Sequence, residues 1–244
     1  MRFSLKSWES RSDMSTDTNA DMSYQNDLSY KLKEFFDSLK VNGVKRTLRK
    51  IFRRIWYFLK GVDFSTQNLH DLSIVGNHAN NGTALVSTSR DFLCELFTVL
   101  RSLANEDFQK ERFVDFGSGK AAAIIHARSL GFKRSLGAEF AKELHKIAEK
   151  NIEKMGVDEV ISLNIDAAEF IPPKDTTLIF MFNPFDETVM KKAIENILKA
   201  KKSFLYPCFL IYVNPTVFYL LEDSFELIGK KEFKSGAKVR FYRV

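Results

Sequence analysis

The residues with the most chemical content lie together at Asp115-Phe116-Gly117-Ser118-Gly119-Lys120. This segment joins a short apolar run, Phe113 to Phe116, to a stretch of helix formers reaching about Ser129. Glycines at such a strand-to-helix turn let the backbone bend tightly and approach a ligand, while helix N–H groups face its polar atoms. A phosphate-binding loop of the Gly-x4-Gly-Lys-Ser/Thr kind is excluded, because Val114 and Ala121 stand at its first glycine and its hydroxyl position. A dinucleotide-binding turn remains open: counting from Gly117, the third glycine position is Ala122, which that motif tolerates. An ordinary turn without a ligand is the remaining reading.

Two acids downstream decide between them. Glu139 ends a second apolar run, 22 positions after Gly117. A carboxylate at that strand end can take both ribose hydroxyls of a nucleoside. Asp166 follows a third run, in Asn164-Ile165-Asp166-Ala167-Ala168-Glu169-Phe170, where it can accept from an adenine amino group. Each lies just past a strand end on one rim of a sheet, and together they outline an adenosine site. Asn183-Pro184-Phe185 follows the most apolar run of all. A polar residue there, stiffened by proline, can present an amide and a carbonyl to a substrate atom.

The elements that must position these residues alternate in type. Ser87-Thr88-Ser89 can cap a helix with an apolar stripe at Phe92, Leu93, Leu96, Phe97, Leu100 and Leu103. Strands are expected at 113–116, 135–139, 160–163, 177–182 and 209–213, with helices to about 129, over 141–155 and over 187–199. The run 177–182 is apolar throughout, as a central parallel strand should be. Phe225–Ile228 and Val239–Tyr242 read as an antiparallel pair. The expected fold is α/β: a Rossmann-like, doubly wound sheet, mostly parallel, with a C-terminal antiparallel hairpin. Residues 203–221 carry no charge and are long enough for a membrane span, but Pro207 and Asn214-Pro215 interrupt them. A buried strand followed by a short helix explains them better.

At 244 residues, 45% of them hydrophobic, the chain suits one such domain plus an extension. Residues 1–27 are polar and expected to be a disordered lead-in. Residues 28–61 are expected to be a basic, amphipathic helical extension, with Asn42-Gly43 separating two helices, and 62–244 form the α/β domain. Residues 28–60 carry ten basic and two acidic side chains, so they hold +8 of charge against a whole-chain +6. Within 44–59, basic residues surround an apolar stripe. Packing of that stripe on the domain is the plainest expectation, and binding to an anionic membrane or nucleic acid is the alternative. Cys94 and Cys208 lie on apolar segments and are expected as buried free thiols. His70, His78, His126 and His145 show no ligand spacing, so no metal site is expected. Without a secretory signal in the first residues, a cytoplasmic location is the default expectation.

In order, Asp115-x-Gly117-x-Gly119, Glu139, Asp166 and Asn183-Pro184-Phe185 resemble the motifs of class I S-adenosylmethionine-dependent methyltransferases. The closer likeness is to a small group distantly related to the histone-lysine methyltransferases that lack a SET domain. The resemblance covers about residues 62–244. It implies S-adenosyl-L-methionine as cofactor, with Asp115, Gly117, Ser118 and Gly119 near the methionine part, Glu139 and Phe140 at the ribose, and Asp166 and Ala167 at the adenine. Thr88 would touch the methionine end. Asn183, Pro184 and Phe185 would form the catalytic turn and orient an acceptor, more readily a nitrogen than an oxygen. A methyltransferase sheet ends in an antiparallel hairpin, which argues against an NAD-dependent oxidoreductase. A catalytically inactive Rossmann-like binding module is the third reading. One departure stands out: the group has glycine after Gly-Ser-Gly-Lys, and this chain has Ala121. A methyl there is expected to crowd the cofactor.

Overall fold

A computed structural model describes Lys33, Leu39 and residues 43–65, 87–104 and 110–244. The expected lead-in over 1–27 and residues 66–86 lie outside these residues. Contacts divide the chain into Met1–Arg54 and Ile55–Val244. Gly43, at φ +74°, precedes helix α1 (Val44–Leu59). The α/β unit then runs α2 (Arg90–Ala104), β1 (Arg112–Phe116), α3 (Ala122–Ser129), β2 (Arg134–Glu139), α4 (Lys142–Met155) and β3 (Val160–Asn164). It continues with β4 (Thr176–Phe182), α5 (Glu187–Lys201), β5 (Phe209–Val213), α6 (Tyr219–Glu222), β6 (Glu226–Glu232) and β7 (Lys238–Arg243).

The seven strands form one sheet in the order β3-β2-β1-β4-β5-β7-β6. The first five are mutually parallel, and β7 runs antiparallel to both β5 and β6. Successive side chains of a strand face opposite sides, and the core divides accordingly. Phe113 and Phe180 join Leu93, Leu96, Leu100, Ile124 and Ile125 on one side. Val114, Phe116, Ile179 and Met181 join Val189, Met190, Ile194 and Ile197 on the other. Helices thus cover both faces, and the doubly wound sheet with its terminal hairpin is the observed fold. Strand order reverses between β1 and β4, and a crevice for ligands opens outside their carboxyl ends.

Local signals account for the helix ends. Ser89 Oγ accepts from the Phe92 N–H at 3.3 Å at the start of α2. Asp186 Oδ1 accepts from the N–H groups of Thr188 and Val189 at the start of α5. Gly156, at φ +61°, closes α4. The uncharged run 203–221 resolves into β5 and the four-residue α6, and no helix among the described residues is long and apolar enough to cross a membrane.

Three expectations need correction. Cys208 is buried, but Cys94 is exposed, because α2 turns that position away from its buried stripe. The strand expected at 225–228 is Glu226–Glu232. Its second half, Lys-Lys-Glu at the sheet edge, carries no apolar alternation from which it could be read. Finally, within the unit Ile55–Val244 the last turn of α1 does not bury its apolar side chains: Ile55, Phe58 and Leu59 are exposed.

Candidate active site

Asp115 is the next-to-last residue of β1, and Gly117 begins the turn at the reversal point. Gly117 takes φ +82°, a conformation only glycine adopts without strain. A Cβ there would stand 2.7 Å from Pro184 Cβ, so the absence of a side chain lets the two turns touch. The fold thereby brings the glycine turn after β1 against Asn183-Pro184-Phe185 after β4. A second glycine works the same way: a Cβ at Gly137 would lie 2.3 Å from Ser118 Oγ. Ser118 keeps a buried hydroxyl without a hydrogen-bond partner.

Glu139 ends β2 with its carboxylate buried. Oε2 accepts from the Gly119 N–H at 2.7 Å and Oε1 from the Ala141 N–H at 2.8 Å. Burial outweighs these bonds and pushes the carboxyl up to about 7. Asp115 is 4% exposed, and among the described residues no hydrogen bond reaches its carboxylate. Burial first, and Glu139 second, push its carboxyl well above the usual carboxylate range. Two buried carboxyls, one with no hydrogen-bond partner among the described residues, share one corner of the crevice.

Phe140, Asn164, Asp166 and Ala167 are tied to the same rim. Glu139 pairs with Asn164, and Asn164 Nδ2 donates to the carbonyls of Glu139 and Phe140 at 2.9 and 3.2 Å. Phe140 itself is half-buried. Asp166 is buried, its Oδ1 accepting from the Ala168 N–H at 2.8 Å, and Ala167 packs into the core beside Phe170. Asn183 takes φ +40°, and its Oδ1 accepts from Thr216 Oγ1 at 2.7 Å. Pro184 is half-buried, and Phe185 is buried in the core below the turn. Thr88 is buried ahead of α2, and among the described residues no hydrogen bond joins it to Asp115, Gly117 or Glu139.

The partners of Lys120 were not visible from motifs. Lys120 is almost fully buried, its Nζ donating to Asp63 Oδ2 at 2.7 Å and Ser65 Oγ at 2.9 Å. Asn151 completes the clasp, donating to the Asp63 and Lys120 carbonyls and accepting from the Asp63 N–H. Burial tends to raise the Asp63 carboxyl, but the bonds from Lys120 and Ser65 hold it below the usual range. The signal was a lysine at the start of an apolar helix, since a buried ammonium requires a partner. Beyond Thr216, an open groove of about 640 Å³ runs from Asn214 and Phe218 to Lys230, Lys231, Lys238 and Arg240. Arg240 stacks on the Phe218 ring at 3.6 Å.

Ala121, at the position of the departing motif residue, has φ +71° and is fully buried in the core. Its methyl belongs to the packing of α3, and the backbone conformation explains why glycine suits the position.

The family described as conserved hypothetical protein 95 matches residues 92–242, more than half of the sequence. The chain belongs to this family. No curated protein matches it. Among solved structures it is similar to a SAM-dependent methyltransferase from Aquifex aeolicus at 14% identity and TM-score 0.49, over 65% of this chain and 100% of that one. It is also similar to an RNA methyltransferase from Salinibacter ruber in complex with S-adenosyl-L-homocysteine at 20% identity and TM-score 0.49, over 65% and 94%. An N-methyltransferase from Bradyrhizobium japonicum is similar at 15% identity and TM-score 0.45, over 63% and 96%. The histone-lysine methyltransferases suggested by the motifs are not among these likenesses.

Proposed function

We propose that this chain is an S-adenosyl-L-methionine-dependent methyltransferase acting on a nitrogen acceptor. The observation that carries the reading is Asp115: a buried carboxyl with no hydrogen-bond partner among the described residues, beside a second buried carboxyl, calls for a cationic ligand. The methionine part of this cofactor brings an ammonium and a sulfonium to that corner. A dinucleotide would bring an anionic pyrophosphate to the same turn. Asp115 would repel it, and the Gly119 N–H that should bind it is already given to Glu139. The six-stranded parallel order of dinucleotide folds also differs from the β7-β6 hairpin here.

In this reading Asp115 binds the ammonium, and Gly117 lets the backbone pass close to the methionine chain. Glu139 takes the ribose hydroxyls with the lone pairs its two backbone bonds leave open, and Asp166 takes the adenine amino group. When bound, the cofactor supplies an electrophilic methyl carbon whose departure leaves a neutral thioether. Asn183 presents its amide and carbonyl to the acceptor nitrogen, and Pro184 fixes that turn against Gly117. Pro184 and Phe185 shield the reacting centre from water, so catalysis rests on alignment and not on a dedicated base.

Photo-cross-linking with methyl-labelled S-adenosylmethionine tests the assignment. Labelling should be displaced by S-adenosylhomocysteine and unaffected by NAD. Displacement by NAD, or no labelling, would replace the reading with an oxidoreductase or a cofactor-free binding module.

A further inference from the structure

The exposed face of α1 has no role in methyl transfer. Val44, Leu48, Phe52, Ile55, Phe58 and Leu59 recur three or four positions apart and make one stripe along the helix. Phe58 is 81% exposed, Leu59 76% and Phe52 70%, values that large apolar side chains rarely hold in water. The other face carries Lys45, Arg49, Lys50, Arg53 and Arg54, and the helix contains no acid. Trp56 lies at the border, with Lys60 over its ring at 5.5 Å. Within the unit Ile55–Val244, the last turn is anchored from behind. Tyr57 packs on Phe64 and His126, and Val62 is buried. Ile55, Phe58 and Leu59 are therefore held outward.

We propose that α1 lies in the plane of an anionic phospholipid surface and docks the protein there. A bilayer interface takes up both halves of the helix at once: apolar side chains enter the acyl boundary, while flanking cations meet acidic headgroups. Trp56 stands at the depth where indoles prefer to sit. The helix has 16 residues and is about 24 Å long, too short to span a bilayer, so it lies flat. Nucleic acid would meet the cations but leave six apolar side chains in water. A second copy would set two cationic helices of the same sign side by side.

The test is co-sedimentation of the full chain with vesicles of pure phosphatidylcholine or of phosphatidylcholine containing phosphatidylglycerol. The protein should pellet with the anionic vesicles, weakly with the neutral ones, and less as salt rises. A double variant, Phe58→Ser with Leu59→Ser, should melt like the parent, since both side chains are exposed, and bind these vesicles roughly tenfold or more weakly. In a Trp8→Phe background, emission from Trp56 should shift to the blue with anionic vesicles. Absence of vesicle binding would overturn the proposal, as would equal binding by the double variant. Two other results would overturn it as well: retention by single-stranded RNA in preference to vesicles, or dimerisation that the double variant abolishes.

Discussion

Asp115→Asn removes the carboxylate that the ligand-free protein holds at a cost. Burial raises both carboxyls, Glu139 to about 7 and Asp115 well above the usual carboxylate range, with Glu139 beside it adding to the rise. Both carboxyls have higher pKa values folded than unfolded. Their contribution to stability is therefore full at acid pH and is lost as pH rises. For Glu139 the loss runs from the ordinary 4.5 through about 7, and amounts to roughly 3 kcal/mol. Asparagine at 115 escapes the corresponding penalty. The ligand-free variant should be more stable at pH 8 by about 1–3 kcal/mol or more, some 3–10 °C in Tm, with the gain fading toward pH 4. Cofactor binding should respond oppositely. An ammonium arriving beside this raised carboxyl lowers its pKa, so cofactor binding by wild type should release protons, the release fading as pH rises. Titration calorimetry in phosphate and in Tris reads this as a difference in apparent enthalpy. Asp115→Asn should abolish the difference and bind the cofactor about tenfold to a hundredfold more weakly, the loss of one charged hydrogen bond. A variant that is less stable at pH 8 and binds equally well, with unchanged proton release, would refute the reasoning.

Other predictions come from the same corner. Ala121→Gly relieves about 1–2 kcal/mol of left-handed strain but gives up a buried methyl and adds chain entropy, so stability should change by less than about 1 kcal/mol. Ala123→Gly, inside α3 with no strain to relieve, should cost about 2 kcal/mol by denaturant titration. Asp63→Ala leaves the Lys120 ammonium buried without its carboxylate partner and should cost more than Lys120→Met, by about 1 kcal/mol or more in the same assay. Asn183→Gly accepts the φ of +40° and should keep both fold and cofactor affinity, while single-turnover transfer of labelled methyl falls about a hundredfold. Retained transfer would reduce Asn183 to a turn residue.

The strands were legible because five of them are short apolar runs punctuated by glycine and helix formers, and β4 is apolar from end to end. Glu139, Asp166 and Asn183 could be placed on one rim because each directly follows such a run. The clasp between Asp63 and Lys120 was not legible, since its members lie 57 positions apart and only the fold brings them together. The left-handed backbone at Ala121 could not be read from an alanine, which carries no signal for positive φ. Periodicity revealed the apolar stripe of α1 and the orientation of its residues relative to one another. It carried no information about what covers the stripe, which is why packing was expected while Ile55, Phe58 and Leu59 are exposed. Cys94 illustrates the same limit: an apolar neighbourhood in sequence need not be the buried face of a helix.

The central claim is most directly tested by titrating S-adenosyl-L-methionine, and separately NAD, into wild type and Glu139→Ala in a calorimeter. Wild type should bind one equivalent of S-adenosylmethionine and no NAD, and Glu139→Ala should weaken that binding by about 1–3 kcal/mol, the cost of leaving polar groups of the ligand unpaired. Binding of NAD in its place, or an unchanged affinity in Glu139→Ala, would contradict the account.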